Sequence, residues 1–181
     1  RMPHRNKNGQ YDNWAKTSLP WMSIGYETQI PPISTLTFYN TIANNGKMMR
    51  PRFVSKVMKN GETIMEFPPE VMRQQIAKEK SIKELQTILE QVVSLGLGKK
   101  AGSPNFKVAG KTGTAQISKG AGGYKSGGTS YLISFAGYFP ADAPRYSCIV
   151  CIQKSGLPAS GGTMCGKVFH EISEGIMAQS L

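Results

Sequence analysis

The residues best equipped for chemistry stand together in one stretch, Lys111-Thr112-Gly113-Thr114-Ala115-Gln116, within the strand-like run from Lys107 to Gln116. An ordinary strand would fill such positions with β-branched hydrophobes. Here a cation stands beside two hydroxyls, and Gly113 between the threonines lets another backbone come close. Lysine contributes a positive charge and three donors, and each threonine adds a hydroxyl donor. An ammonium and two hydroxyls along one strand suit an anion, in particular the carboxylate of a peptide-like ligand.

Two simpler readings compete with this one. Lys-Thr-Gly also occurs as a plain polar turn, and Gly110-Lys111-Thr112 copies the end of a phosphate loop. The phosphate loop fails on spacing, because its first glycine would fall at Asn105 and the residues after Thr112 read as strand, leaving no helix N-terminus for phosphate. A second imitation, Gly161 to Gly166-Lys167, places Val168 where a magnesium-binding Ser or Thr belongs.

Composition narrows the class. A chain of 181 residues with 39% hydrophobic content suits one domain with a sizeable core. The net charge of +11 invites nucleic acid, but the basic residues are scattered with no run of five or six, so no nucleic-acid partner is predicted. Cys148 and Cys151 lie three apart in a strand-like run and point to opposite faces, which forbids their pairing and favours buried free thiols. His4 and His170 lack a second ligand at metal spacing, so no metal and no cofactor are predicted. The apolar runs are too short to cross a bilayer, so any membrane anchor is expected outside this stretch. The opening lacks an initiator methionine and is rich in Pro, Asn, Lys and Gly from Pro3 to Asn13. It reads as an excised loop, residues 1–20 as loop or linker, and residues 1–181 as a piece of a longer protein.

Around the Lys111 stretch the pattern supplies elements to position it. Trp21 to Tyr26 reads as a loop entering a helix that starts at Pro32, with Ile33, Leu36, Tyr39, Ile42 and Ala43 on one face and Asn44-Asn45-Gly46 as its left-handed stop. Asn60-Gly61 marks a hairpin turn between extended segments. Ser81 to Glu84 forms a capping box for a second helix whose apolar face runs from Ile82 to Val93, closed by Gly96 or Gly98. Three strands follow, Phe106 to Ile117, Ser130 to Phe139 and Arg145 to Gln153, as an antiparallel meander. Ser118 to Thr129, with Gly120, Gly122, Gly123, Gly127 and Gly128, reads as a mobile surface loop. The stretch from Ser160 to Ala178 reads as a closing helix, with Met164, Val168, Ile172 and Ile176 repeating every four residues. Because alternate positions in the later strands are apolar on both sides, the fold class is α+β, an antiparallel sheet covered by helices on both faces.

With Lys111 to Gln116 on one strand, Phe135-Ala136-Gly137-Tyr138-Phe139-Pro140 on its partner and a closing helix, the chain resembles the penicillin-binding proteins. Ser23 to Tyr26, Ile42 to Gly46 and Arg50-Pro51 are similar to the class B transpeptidases of cell division and elongation. The resemblance runs from about Trp21 to the C-terminus and implies an incomplete transpeptidase fold, with two further strands and the nucleophile helix supplied from elsewhere. It implies cross-linking of peptidoglycan stem peptides by acyl transfer from D-Ala-D-Ala, and acylation by β-lactams. Of the family's three motifs, S-x-x-K, S-x-N and K-T-G, only the third is here. No serine is followed three residues on by lysine, and Ser103-Pro104-Asn105 sits beside the K-T-G strand, where it reads as a turn.

By this resemblance, Lys111 and Thr114 are catalytic residues. Lys111 faces the substrate carboxylate, and the Thr114 amide is one of two oxyanion donors. Thr112, Gly113 and Thr114 bind substrate. The segment alone is expected to be inactive, and its unfinished sheet to favour self-association or cover from the Pro3 to Pro20 stretch. The implied setting is the periplasmic face of the inner membrane, and the implied partner a lipid-linked glycan polymerase of the divisome or elongation machinery. A β-lactamase, a penicillin-sensing receptor domain and a non-catalytic interaction module are the alternatives.

Overall fold

The computed structural model describes residues 4–12, 14–117 and 129–179. They form two compact units, Arg1–Pro31 and Pro32–Leu181. In the first, β1 (His4–Arg5) pairs antiparallel with β2 (Tyr11–Asp12). The Asn6 side chain organises the connection, accepting from the amides of Asn8 and Gln10 at 3.0 Å each. A short helix, α1 (Ser18–Ser23), occupies residues read from sequence as loop. Pro20 is compatible with it because the amide that proline lacks would have no partner in the first turn.

The second unit opens with α2 (Pro32–Ala43), which stops where predicted, with Asn45 at φ 52° and Gly46 at φ 94°. Next come β3 (Met48–Met49), which pairs with β6 (Val71–Arg73), and a ribbon of β4 (Lys56–Lys59) and β5 (Glu62–Glu66). Asn60 and Gly61 both have positive φ, 51° and 85°, the backbone of a two-residue hairpin turn. The β3–β6 pair had no counterpart in the sequence reading, since two- and three-residue strands are too short to show a period.

Helix α3 (Glu79–Ser94) begins ahead of the predicted capping box. Lys78 is its N-cap, no side chain caps it, and Ser81 lies within the helix. The earlier start suits Glu79, whose carboxylate sits at the positive end of the helix and pairs with Lys83 at 2.7 Å, one turn on. Ile82, Leu89 and Val93 are buried, while Ile88 is exposed. The amides of Gly96 and Gly98 turn back onto the Gln91 and Val92 carbonyls at 3.0 and 2.9 Å, closing the helix.

A 3-10 turn, Lys99–Ala101, leads to the sheet of β7 (Ala109–Ile117), β8 (Ser130–Phe139) and β9 (Tyr146–Ser155), antiparallel throughout in the order β7-β8-β9. The glycine-rich stretch read as a mobile loop falls on residues 118–128, outside the described residues. A π-helical turn, Gly161–Cys165, runs into α4 (Gly166–Ala178), whose inward face differs from the expected one: Met164 and Ile176 pack on the core, but Val168 and Ile172 are exposed and their neighbours Phe169 and Ser173 are buried, because 3.6 residues per turn rotates a strict four-residue repeat off the contact line. One face of the sheet, with Ile133, Phe135, Phe139 and Val150, packs against Cys165 and Phe169. Phe169 meets Phe135 and Phe139 at ring separations of 4.8 and 5.6 Å. On the other face Ala109 and Tyr138 pack against Ile42 of α2 and Leu89 of α3. Helices therefore cover both faces, as the double apolar alternation predicts. The three cysteines are free thiols, but only Cys165 is buried as expected: Cys148 is half-buried on the Phe169 side, and Cys151, on the opposite face of β9, is exposed because no helix covers it there.

Candidate functional site

The Lys111 stretch occupies β7, at an edge of the sheet, and is held along its length by β8. Lys111 stands opposite Ala136, Thr112 opposite Phe135, Gly113 opposite Ser134 and Thr114 opposite Ile133. Phe135 and Ile133 are completely buried, so the strand behind the motif is anchored in the core while Lys111 and Thr114 remain exposed. That is the arrangement a binding edge needs: polar side chains in solvent on a backbone paired to a packed strand.

The Lys111 ammonium curls along the strand and donates to the Thr112 carbonyl at 3.0 Å and the Thr112 hydroxyl at 3.4 Å. Lysine and threonine thus converge on one spot although their side chains leave the strand on opposite faces. A carboxylate oxygen brought to that ammonium would gain about 4 kcal/mol of Coulomb attraction at a surface dielectric, before desolvation.

Gly113 has a nearer obstacle than the ligand backbone expected from sequence. A β-carbon there would run into the Ser134 hydroxyl across the ladder. Ser134 is a neighbour that no sequence reading singled out, because cross-strand register is a tertiary fact.

The π-helical turn closes over the same strand. The Gly161 amide donates to Thr114 Oγ1 at 3.3 Å. A β-carbon on Gly161 would collide with the carbonyl oxygens of Gly113 and Ser134, and one on Gly162 with the Leu97 carbonyl. The Gly161 to Gly166 spacing that imitates a phosphate loop therefore reflects packing, with the glycines allowing the turn to rest on bare backbone. A serine N-cap followed by a Gly-Gly pair was the available signal for close approach.

Ser103 is the turn residue predicted. Its hydroxyl accepts from the amides of Asn105 and Phe106 at 2.9 and 3.3 Å and donates to Glu174 at 2.6 Å. That bond to Ser103, joined by one from Asn105, holds the Glu174 carboxyl below the usual range. His170, on the same helix, meets the Gly102 carbonyl through Nδ1 at 2.9 Å, so α4 holds the turn that leads into β7. Among the described residues, two clefts lie away from the motif. One of about 600 Å³ includes Glu90, Lys99, Asn105 and Lys107, and one of about 640 Å³ includes Phe53, Phe67 and Pro68. Among the described residues no three His, Cys, Asp or Glu side chains gather as a metal site, and no helix is long and apolar enough to cross a membrane.

Residues 3–174 match the family model described as the penicillin binding protein transpeptidase domain. Penicillin-binding protein PbpB of Mycolicibacterium smegmatis is 30% identical over 177 residues, covering 92% of this chain and 27% of the relative. Peptidoglycan D,D-transpeptidase FtsI of Escherichia coli is 27% identical over 170 residues, covering 93% of this chain and 26% of the relative. The crystal structure of penicillin binding protein 3 from Mycobacterium tuberculosis, complexed with aztreonam, superposes with a TM-score of 0.76 at 28% identity, covering 93% of this chain and 39% of that one. The chain thus spans about a quarter of the length of these curated relatives.

Proposed function

The chain belongs to the family of penicillin-binding protein transpeptidase domains, and on that premise we propose that the protein carrying it is a serine D,D-transpeptidase that cross-links peptidoglycan stem peptides. In this reading residues 1–181 are the C-terminal portion of the transpeptidase domain, and a serine outside the Lys111 stretch attacks the D-Ala-D-Ala carbonyl. The terminal D-Ala leaves, and the amine of a second stem peptide resolves the acyl-enzyme. A β-lactam enters the same site as a mimic of the dipeptide, and aztreonam in the related mycobacterial structure is of that class.

The observation that carries the reading is the exposed edge of β7, where Lys111 and Thr114 face solvent while the residues opposite them, Ala136 and Ile133, are buried. Lys111 draws the substrate carboxylate, and the hydroxyls of Thr112 and Thr114 hold it. The Thr112 carbonyl is within reach of the Lys111 ammonium, which supports its pointing to the open edge. Backbone groups alternate along a strand, so Thr114, two residues on, would turn its amide to the same side and serve as an oxyanion donor, a role worth about 3 kcal/mol. The second donor would be the nucleophile's own amide. No serine in this chain has a lysine three residues on, so K-T-G supplies half of the site. The same premise sets the protein at the outer face of the cytoplasmic membrane, working with a lipid-linked glycan polymerase.

Labelling with fluorescent penicillin tests the proposal. The full-length protein should take up label stoichiometrically and residues 1–181 alone should take up none. Lys111→Ala should slow acylation of the full-length protein by about 10² to 10⁴-fold with its melting temperature unchanged. Undiminished acylation in that variant would place the site elsewhere.

A further inference from the structure

We infer that Gly161 is a positioning residue for this site, an inference that rests on the transpeptidase reading above. Its amide sets the direction in which the Thr114 hydroxyl donates. A threonine hydroxyl has one proton and two acceptor lone pairs. The Gly161 amide, at 3.3 Å, occupies one lone pair from the α4 side of the sheet. The hydroxyl proton cannot lie along that direction and is donated away from the turn. The stiff χ1 of a β-branched side chain limits the remaining freedom. The threonine is thus prepared as a donor before a carboxylate arrives, which spares the cost of ordering it on binding.

The turn that delivers the amide is built for constancy of depth. Gly161 and Gly162 are buried, and neither leaves room for a β-carbon. Gly161 rests on the Gly113 and Ser134 carbonyls, and Gly162 lies between the Leu97 carbonyl and the Thr112 methyl. Ser160 caps the turn, accepting from the Thr163 amide at 3.2 Å, while its carbonyl accepts from Met164 at 2.9 Å. The two glycines and the cap hold α4 at one height above the β7–β8 ladder, so Thr112 and Thr114 are supported from the same side.

The test compares two probes on the full-length protein, a penicillin with its free carboxylate and the same penicillin as its methyl ester. Gly161→Ala presses on the Gly113 carbonyl, in the same peptide as the Thr114 amide, and should slow both probes, with the second-order acylation constant for the acid falling about tenfold further than that for the ester, the weight of one modest hydrogen bond. Thr114→Val should show the same preference, and the double variant should lose no more than the worse single one. Because Gly161→Ala places a methyl against backbone, Ser160→Ala is measured beside it. That change adds no atom at the strand and loosens the turn, and about a threefold loss confined to the acid is expected. A wild type that takes no label overturns the transpeptidase reading and this inference with it. A labelled wild type whose variants lose acid and ester reactivity equally, or whose double variant is additive, overturns the inference alone.

Discussion

Every strand residue of the β4–β5 ribbon is exposed, whereas β8 buries Ile133, Phe135, Tyr138 and Phe139 completely. Both are antiparallel pairings with regular register over most of their length. The ribbon is held by its own neighbourhood: the Asn60-Gly61 turn, the Phe67 amide on the Ser55 carbonyl at 2.9 Å, and Arg52 donating to the Phe67 carbonyl. The sheet is held by α2, α3 and α4, elements far away in the chain. A two-stranded ribbon without a covered face is marginal in stability, while a sheet packed on both faces is not. The Lys111 motif belongs to the second kind, and the carboxylate site proposed for it needs that rigidity, because such a site displaced by an ångström loses most of its value.

The largest expected effect sets the two regions side by side. Phe135→Ala removes a fully buried ring packed on Phe169 and should cost about 3 to 5 kcal/mol, whereas Ile64→Ala, in the ribbon, should stay within about 0.5 kcal/mol. Chemical denaturation of both variants measures this, and equal losses would erase the distinction.

A second prediction sharpens it through pH. The Tyr138 hydroxyl is buried with no hydrogen-bond partner among the described residues, and burial pushes its pKa up to about 12. The folded state therefore favours the neutral phenol. This contribution is fully present below about pH 10, the ordinary value, and is lost as pH rises toward 12. From pH 10 to 12 the wild type should lose about 2 kcal/mol more than Tyr138→Phe, and an identical alkaline profile for the two would show the hydroxyl to be solvated.

The smallest effect belongs to the ribbon. Gly61→Ala puts a side chain at φ 85° with open space around it, so the cost is conformational only, about 1 kcal/mol. Amide exchange should quicken in β4 and β5 and stay unchanged in β8. Faster exchange in β8 would mean that the ribbon and the sheet unfold together.

Much of this was legible residue by residue. The α2 stop at Asn45-Gly46, the hairpin at Asn60-Gly61 and the three sheet strands follow from positive-φ residues and two-residue alternation, which are local signals. The α3 capping box was misread because Ser81 and Glu84 match its letters, while the Glu79–Lys83 pair favours starting the helix earlier. The α1 helix and the β3–β6 ladder were missed because elements so short carry no period. At the site, Lys111, Thr112 and Thr114 stood out by chemical type. Ser134 did not, and Gly161 drew notice only as part of a phosphate-loop imitation, since serine and glycine acquire their meaning from what lies against them.

The sequence by itself determined the chemistry available to this protein: a cation, two hydroxyls and a bare backbone position in one strand, with the α+β pattern around them. These are properties of residue type and spacing along one segment, so no partner is needed to read them. Only the tertiary structure decided that this strand is an edge, that Ser134 lies beside Gly113, and that the Gly161 amide reaches Thr114 across 47 positions of chain. Register and helix depth arise when distant apolar faces close on one another, and that closure is a collective result that no local window contains.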